Sequence, residues 1–191
     1  MPRVSDAHKA ARHSQVLNAA RACFARRGYQ ATTIRDLERE TGMSSGAIFN
    51  YFDTKLDIFV ALAEEDTAHT ARLWSAGGLR AIVEHHTGAQ PAYTASYLEV
   101  GRQLLTDPDF RARWARRGDL IVEAIRNHLR TQQEQGLVRT DLPLDDLVTY
   151  SAIHLDGITL QMRLGTTPTQ LVTAVDLYEQ ALRPPPTSPP A

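Results

Sequence analysis

TTIRDLERETGMSSGAIFNYFDTK, residues 32–55, holds two short helical patterns separated only by Thr41-Gly42-Met43-Ser44. Thr33 and Asp36 stand at capping-box spacing, a hydroxyl cap with a carboxylate three residues on. Ile34 and Leu37 then face inward until Gly42, which allows the left-handed backbone of a tight turn. Ser44 is placed to cap a second helix with Ile48 and Phe52 inward and Ser45, Gly46, Ala47, Asn50 and Tyr51 outward. Thr54 and Asp57 repeat the capping spacing at the start of a third segment. Two short helices about a glycine turn, the second small and polar on its outer face, predict a helix-turn-helix. In that geometry the second helix enters the major groove by its N-terminal end while the first crosses the backbone. The elbow is short because a groove about 12 Å wide admits one helix and little else.

Working outward, the rest of the chain reads as helix. A first amphipathic helix is expected from Ala7 to Arg27, with Val16, Ala20, Cys23 and Phe24 inward and Gly28 as its stop. A long helix from Thr54 is expected to end at Ser75-Ala76-Gly77-Gly78, with a short helix in 79–90 and another over 90–107. Asp107-Pro108 is a helix start, an acceptor cap followed by proline at the first helical position, and the helix runs to Gly136. Residues 143–165 carry two apolar faces, Leu147, Val148, Ser151, Leu155, Ile158 and Met162 on one, Ile153, Gly157, Leu160 and Leu164 on the other. A helix apolar on two faces requires two partners. With the last amphipathic helix (Leu171, Val175, Tyr178, Leu182), it is expected to form a four-helix bundle with a second copy. The fold class expected is all-α, with a DNA-binding domain at 1–53, a helical effector-binding and dimerisation domain at 54–183, and a disordered proline-rich tail at 184–191.

Composition bounds the function. The 191 residues carry a net charge of −1, but residues 1–56 hold nine Lys/Arg against five Asp/Glu, while 57–191 hold twelve against seventeen. A basic front on an acidic body suits one surface that meets a polyanion. The polar N-terminus has no apolar segment before a cleavage site, no run is long enough for a membrane span, and Cys23 has no partner thiol, so a cytoplasmic protein is expected.

The run ATTIRDLERETGMSSGAIFNYFDTKLDIF, within residues 12–63, resembles the TetR family of bacterial transcriptional regulators. The resemblance implies a dimeric repressor released from a palindromic operator by a small-molecule effector, with no cofactor and no enzymatic activity. Carried over by position, it implies that Thr33 caps the first elbow helix and touches a phosphate, and that Arg35 contacts backbone or a base edge. Ser44, Ser45, Gly46 and Ala47 form the leading end of the recognition helix, Phe49, Asn50 and Tyr51 its aromatic-rich contact face, and Lys55 a phosphate contact. Asn50, which can pair bidentately with adenine, and Ser45 or Arg35 are the expected base readers. Five positions depart from the pattern: Phe49 where tyrosine is usual, Tyr51 where histidine is common, Leu56 where an acidic or polar residue is usual, and Glu38 and Thr41 where small apolar residues are usual on the first elbow helix.

Polar groups on otherwise apolar helices are the candidate effector contacts: Glu99, Arg102, Arg126, Arg130, His154 and Asp156. Arginine suits carboxylates and phosphates through bidentate bonds, so an anionic metabolite is preferred. Residues 97–117, YLEVGRQLLTDPDFRARWARR, resemble the actinobacterial aconitase-repressor branch, which implies a citrate-like ligand. The alternative reading makes these residues internal ion pairs or surface charges. A metal-dependent enzyme would have to be built on His85, His86, His154 and Asp156, but neither pair has His-x-x-x-His spacing and no metal site is expected. An architectural DNA binder without effector would need no pocket.

Overall fold

The computed structural model describes residues 6–88 and 99–186, and every element among them is an α-helix. The order is α1 (Asp6–Ala31), α2 (Ile34–Thr41), α3 (Ser45–Phe49), α4 (Lys55–Gly88), α5 (Gly101–Thr106), α6 (Pro108–Glu134), α7 (Leu144–Arg163) and α8 (Pro168–Leu182). Much of the helix expected over 90–107, and residues 187–191 of the expected tail, lie outside the described residues. The chain divides into two compact units, one of residues 1–66 with 92–117, the other of 67–91 with 118–191.

In the first unit a single core gathers α1, α2, α3, the start of α4, and α6. Its centre is Phe59, stacked on Trp114 at 5.8 Å and flanked by Tyr29 at 4.8 Å and Phe24 at 6.1 Å between ring centroids. Offset and edge-on aromatic pairs of this kind add to simple burial. Leu17, Leu37, Ile48 and Leu62 fill the remaining space, all fully buried. Cys23 is buried in the same core, and burial pushes its thiol pKa up. The first helix breaks where glycine was expected to stop it: Gly28 takes φ 76°, and Thr32 Oγ1 donates to its carbonyl at 2.8 Å.

The second unit packs the later part of α4, most of α6, and α7 with α8 around Trp74, Ile82, Ile125, Leu129 and Val175. The buried stripe of α7 is the one read from the sequence, with Leu147, Val148, Ser151, Leu155 and Ile158 inside. Ser151 Oγ donates to the Leu147 carbonyl, leaving its lone pairs to accept the Tyr178 hydroxyl at 2.7 Å. Tyr178 is buried beneath this bond, and loss of solvent pushes its pKa up to about 12. The helix α4 bends sharply at Gly77 and Gly78, and Gly78 has φ 63°. The His128 ring lies against this bend: a Cβ at position 78 would stand 3.2 Å from its Nε2.

Burial lowers the pKa of His128 below the ordinary histidine value, partly offset by a hydrogen bond to the Ser75 backbone. A folded-state pKa below the unfolded one means that the unfolded chain binds the proton more readily. His128 therefore contributes stability that is complete above about pH 6.5 and is lost as the pH falls below that value. Thermal melts between pH 7.5 and 5 are expected to show a falling midpoint, and His128→Asn is expected to remove that part of the slope.

Candidate nucleic-acid interface

The elbow is built by local hydrogen bonds before any packing is counted. Thr33 Oγ1 accepts from the Asp36 N–H at 3.3 Å, and the Asp36 carboxylate accepts from the Thr33 N–H at 2.9 Å, closing the capping box. The same carboxylate takes the Arg27 guanidinium at 2.7 Å, which ties α2 to the end of α1. Hydrogen bonds from the Thr33 backbone and hydroxyl, with Arg27 alongside, hold the Asp36 pKa down to about 2. Gly42 ends α2 in the left-handed conformation at φ 69°, with its N–H on the Glu38 carbonyl at 2.8 Å.

Glu38 and Thr41, the departures from the family pattern, both serve the turn. The Glu38 carboxylate accepts the Ser45 N–H at 2.6 Å, capping the first turn of α3 alongside Ser44, whose Oγ accepts from the Ala47 N–H at 3.3 Å. Thr41 Oγ1 donates to the Leu37 carbonyl at 2.7 Å and accepts the Met43 N–H at 3.1 Å. Polar groups thus do what small apolar residues do by fit alone: they hold two helices at a close, defined angle.

The helix α3 buries Ile48 completely, and Phe52 follows it into the core. This leaves Ser44, Gly46, Phe49 and Asn50 exposed, with Ser45, Ala47 and Tyr51 half-buried. Thr33 and Arg35 are exposed at the start of α2. Across from Asn50 and Tyr51, a hollow is completed by Lys9, Ala10 and His13 of α1, with the His13 ring 4.6 Å from that of Phe52. Lys9 and His13 were absent from the sequence reading, although their spacing of four residues places both on one face of α1.

Lys55 has a different setting from the other basic candidates. Its ammonium donates to the carbonyls of Tyr29 and Thr32 at 2.8 Å each and of Gln30 at 3.4 Å, and sits 4.4 Å over the Tyr29 ring. All three donors face backbone left unpaired where α1 ends, and burial lowers the lysine pKa. The side chain closes the α1–α2 corner in this structure.

The six effector candidates divide between the two units. Glu99 and Arg102 belong to the first unit, where Glu99 accepts the Tyr29 N–H at 3.3 Å. Arg126, Arg130, His154 and Asp156 belong to the second. Arg126 pairs with Asp145, Arg130 donates to Asn127 at 3.0 Å, and the His154 Nδ1–H donates to the Tyr150 carbonyl at 2.8 Å. A separate cavity of about 410 Å³ opens in the second unit at the α4 bend, walled by Trp74, Gly78, His128, Gln132, Tyr178 and Arg183 among others. None of the six lines it. The Trp74 indole is buried, and its Nε1–H has no acceptor. A buried donor without a partner is costly, and indole can only donate. Among the described residues no three His, Cys, Asp or Glu side chains converge as a metal site, and no helix is long and apolar enough to cross a membrane.

Comparison with known proteins follows this geometry closely. Residues 16–62 match the bacterial regulatory proteins of the tetR family. The chain is 41% identical over 185 residues to the HTH-type transcriptional repressor Rv1474c of Mycobacterium tuberculosis, covering 96% of this chain and 99% of that protein. It is 36% identical to the HTH-type transcriptional repressor AcnR of Corynebacterium diphtheriae, over 96% of this chain and 97% of that one. Among solved structures, a transcriptional regulator from Saccharomonospora viridis in complex with choline superposes with a TM-score of 0.71 at 24% identity, over 91% of this chain and 98% of that chain.

Proposed function

Since this chain belongs to the TetR family and is a DNA-binding transcriptional regulator, we propose that it acts in the cytoplasm as a homodimeric repressor of a palindromic operator, released by a small anionic effector. The observation that carries the DNA-binding part is α3: it shows only small, polar and aromatic groups outward while Ile48 anchors it from behind. Asn50 reads adenine, with Ser45 and Arg35 at neighbouring bases. Thr33, Tyr51 and the exposed backbone at Ser44, Gly46 and Ala47 set the register against phosphates, and Phe49 packs on sugar or a thymine methyl. Lys9 adds a backbone contact from α1. Lys55 contributes by holding the corner, and reaches a phosphate only by exchanging one carbonyl for it.

Dimer formation is supported by the outer faces of the last two helices. Ile153 of α7 and Leu164 just past its end are 65% and 68% exposed, and Leu177 of α8 is 63% exposed. Apolar side chains on two adjacent helices suit an isologous contact with a second copy. A twofold protein reads a twofold site, which makes the operator palindromic.

For the effector, the cavity at the α4 bend is the better candidate than the six residues named from the sequence. Its size suits a small ligand, and Arg183 and Gln132 supply donors for an acceptor-rich, anionic molecule. A ligand shifts the regulator only if it binds the DNA-free form more tightly.

Selection of bound sequences from a random duplex pool tests the reading as a whole: a palindrome with half-sites about one helical turn apart is expected. On that site Asn50→Ala is expected to cost about 1–3 kcal/mol, and unchanged affinity would take Asn50 out of the readout. Sedimentation at micromolar concentration is expected to show a dimer that Ile153→Glu converts to monomer. Calorimetric titration with small di- and tricarboxylates is expected to give heat that Arg183→Ala reduces.

A further inference from the structure

The bend in α4 brings together two histidines that neither local spacing nor the DNA-binding site explains. The His69 Nε2 lies 3.1 Å from the His85 Nε2, with ring centroids 4.8 Å apart. They stand on opposite sides of the Gly77–Gly78 break and at equal distance in sequence from Gly77, so the chain must fold back for them to meet. Both belong to the second unit, and the pair is exposed. His86 is next to them, its ring 5.3 Å from that of His85, with Nδ1–H donating to the Ile82 carbonyl at 2.8 Å.

We propose that His69 and His85 form a two-imidazole site for a borderline divalent transition cation of the nickel, copper and zinc group, which clamps the two arms of the α4 bend. The geometry carries it. A cation bonded to both Nε2 atoms at about 2.0–2.1 Å, with those atoms 3.1 Å apart, subtends an angle of roughly 95–100°. That angle lies between adjacent positions of an octahedron and those of a tetrahedron, and each ring turns by roughly 40° from the Nε2–Nε2 line to aim its lone pair at the cation. Imidazole is the donor these metals prefer, whereas magnesium and calcium select oxygen. One ring donates its Nε2–H and the other accepts it on its Nε2 lone pair. When the metal binds, that hydrogen leaves Nε2, for the Nδ1 of the same ring or for solvent, so that both lone pairs face the cation. Water completes the coordination, because no third His, Cys, Asp or Glu among the described residues converges on the site.

The clamp has a consequence for regulation. Gly77 and Gly78 form part of the wall of the 410 Å³ cavity. Tying residue 69 to residue 85 stiffens the bend and with it that wall, so availability of the metal becomes a second input to whatever ligand the cavity receives. The site itself stands on the histidine geometry and does not depend on the identity of the effector.

The test uses the full chain and NiCl2 alone, without effector or DNA. Calorimetric titration is expected to show one Ni²⁺ per chain at this site, with affinity lowered by roughly tenfold or more in His69→Ala and in His85→Ala, as loss of one of two chelating ligands requires. Hydrogen exchange at the backbone amides of residues 70–85 is expected to slow on Ni²⁺ addition in the wild type and to stay unchanged in either variant. His85→Gln, which keeps a polar side chain of similar size, guards against a folding defect, and circular dichroism without metal is expected to match the wild type. The inference is overturned if the wild type takes up no Ni²⁺ at millimolar concentration. It is equally overturned if the doubly substituted chain binds Ni²⁺ as tightly as the wild type, or if Ni²⁺ binds without slowing exchange around the bend.

Discussion

A helix of five residues cannot hold itself in water. Nucleating a helical turn orders several residues for one hydrogen bond, so α3 exists only because its surroundings impose it. Two kinds of support do so. From below, Ile48 is fully buried and Phe52 follows, so the apolar side of the segment is fixed by the core. From its N-terminal end, Ser44 and the Glu38 carboxylate take up backbone N–H groups that the short helix cannot satisfy internally. The outer face is then presented at one angle and depth, which is what a helix entering a groove requires.

That support passes backwards along the chain. Glu38 is in place because α2 is, and α2 is held by the Thr33–Asp36 capping box and by the ion pair from Asp36 to Arg27. Lys55 closes the same corner by donating to the carbonyls of residues 29, 30 and 32. The basic excess of the N-terminal region is therefore only partly a DNA-facing charge. Arg21 pairs with Asp66, Arg26 with Glu40 and Arg27 with Asp36, so several of these cations hold the head together. The most exposed of them, Arg26–Glu40, contributes little stability and mainly sets orientation.

The second unit follows another logic. Its core is largely apolar, and the Ser151–Tyr178 hydrogen bond satisfies two hydroxyls that burial would otherwise penalise. The bend at Gly77–Gly78 turns α4 back on itself, seats His128 against glycine, and opens a cavity beside the unpartnered Trp74 indole. Packing that leaves both a void and an orphan donor is poor for stability alone.

The amino-acid order by itself determined the elements whose signals are local. The capping pairs Thr33–Asp36 and Thr54–Asp57, the glycines at 28, 42 and 77–78, and the inward residues Leu37, Ile48 and Val175 all follow from spacing and backbone preference, which act over a few residues. What depends on the meeting of distant segments was not legible there. Lys55 reads as a phosphate contact, and nothing in its neighbours along the chain announces its hydrogen bonds to the end of α1. The cavity at the α4 bend was not legible either, because it is walled by residues as far apart as Trp74, His128 and Arg183. His69 and His85 lie 16 positions apart, and only the fold of α4 brings their rings to hydrogen-bonding distance. Periodicity tells which face of a helix turns inward, but not which other helix it meets, because that choice is made by volume and shape across the whole core.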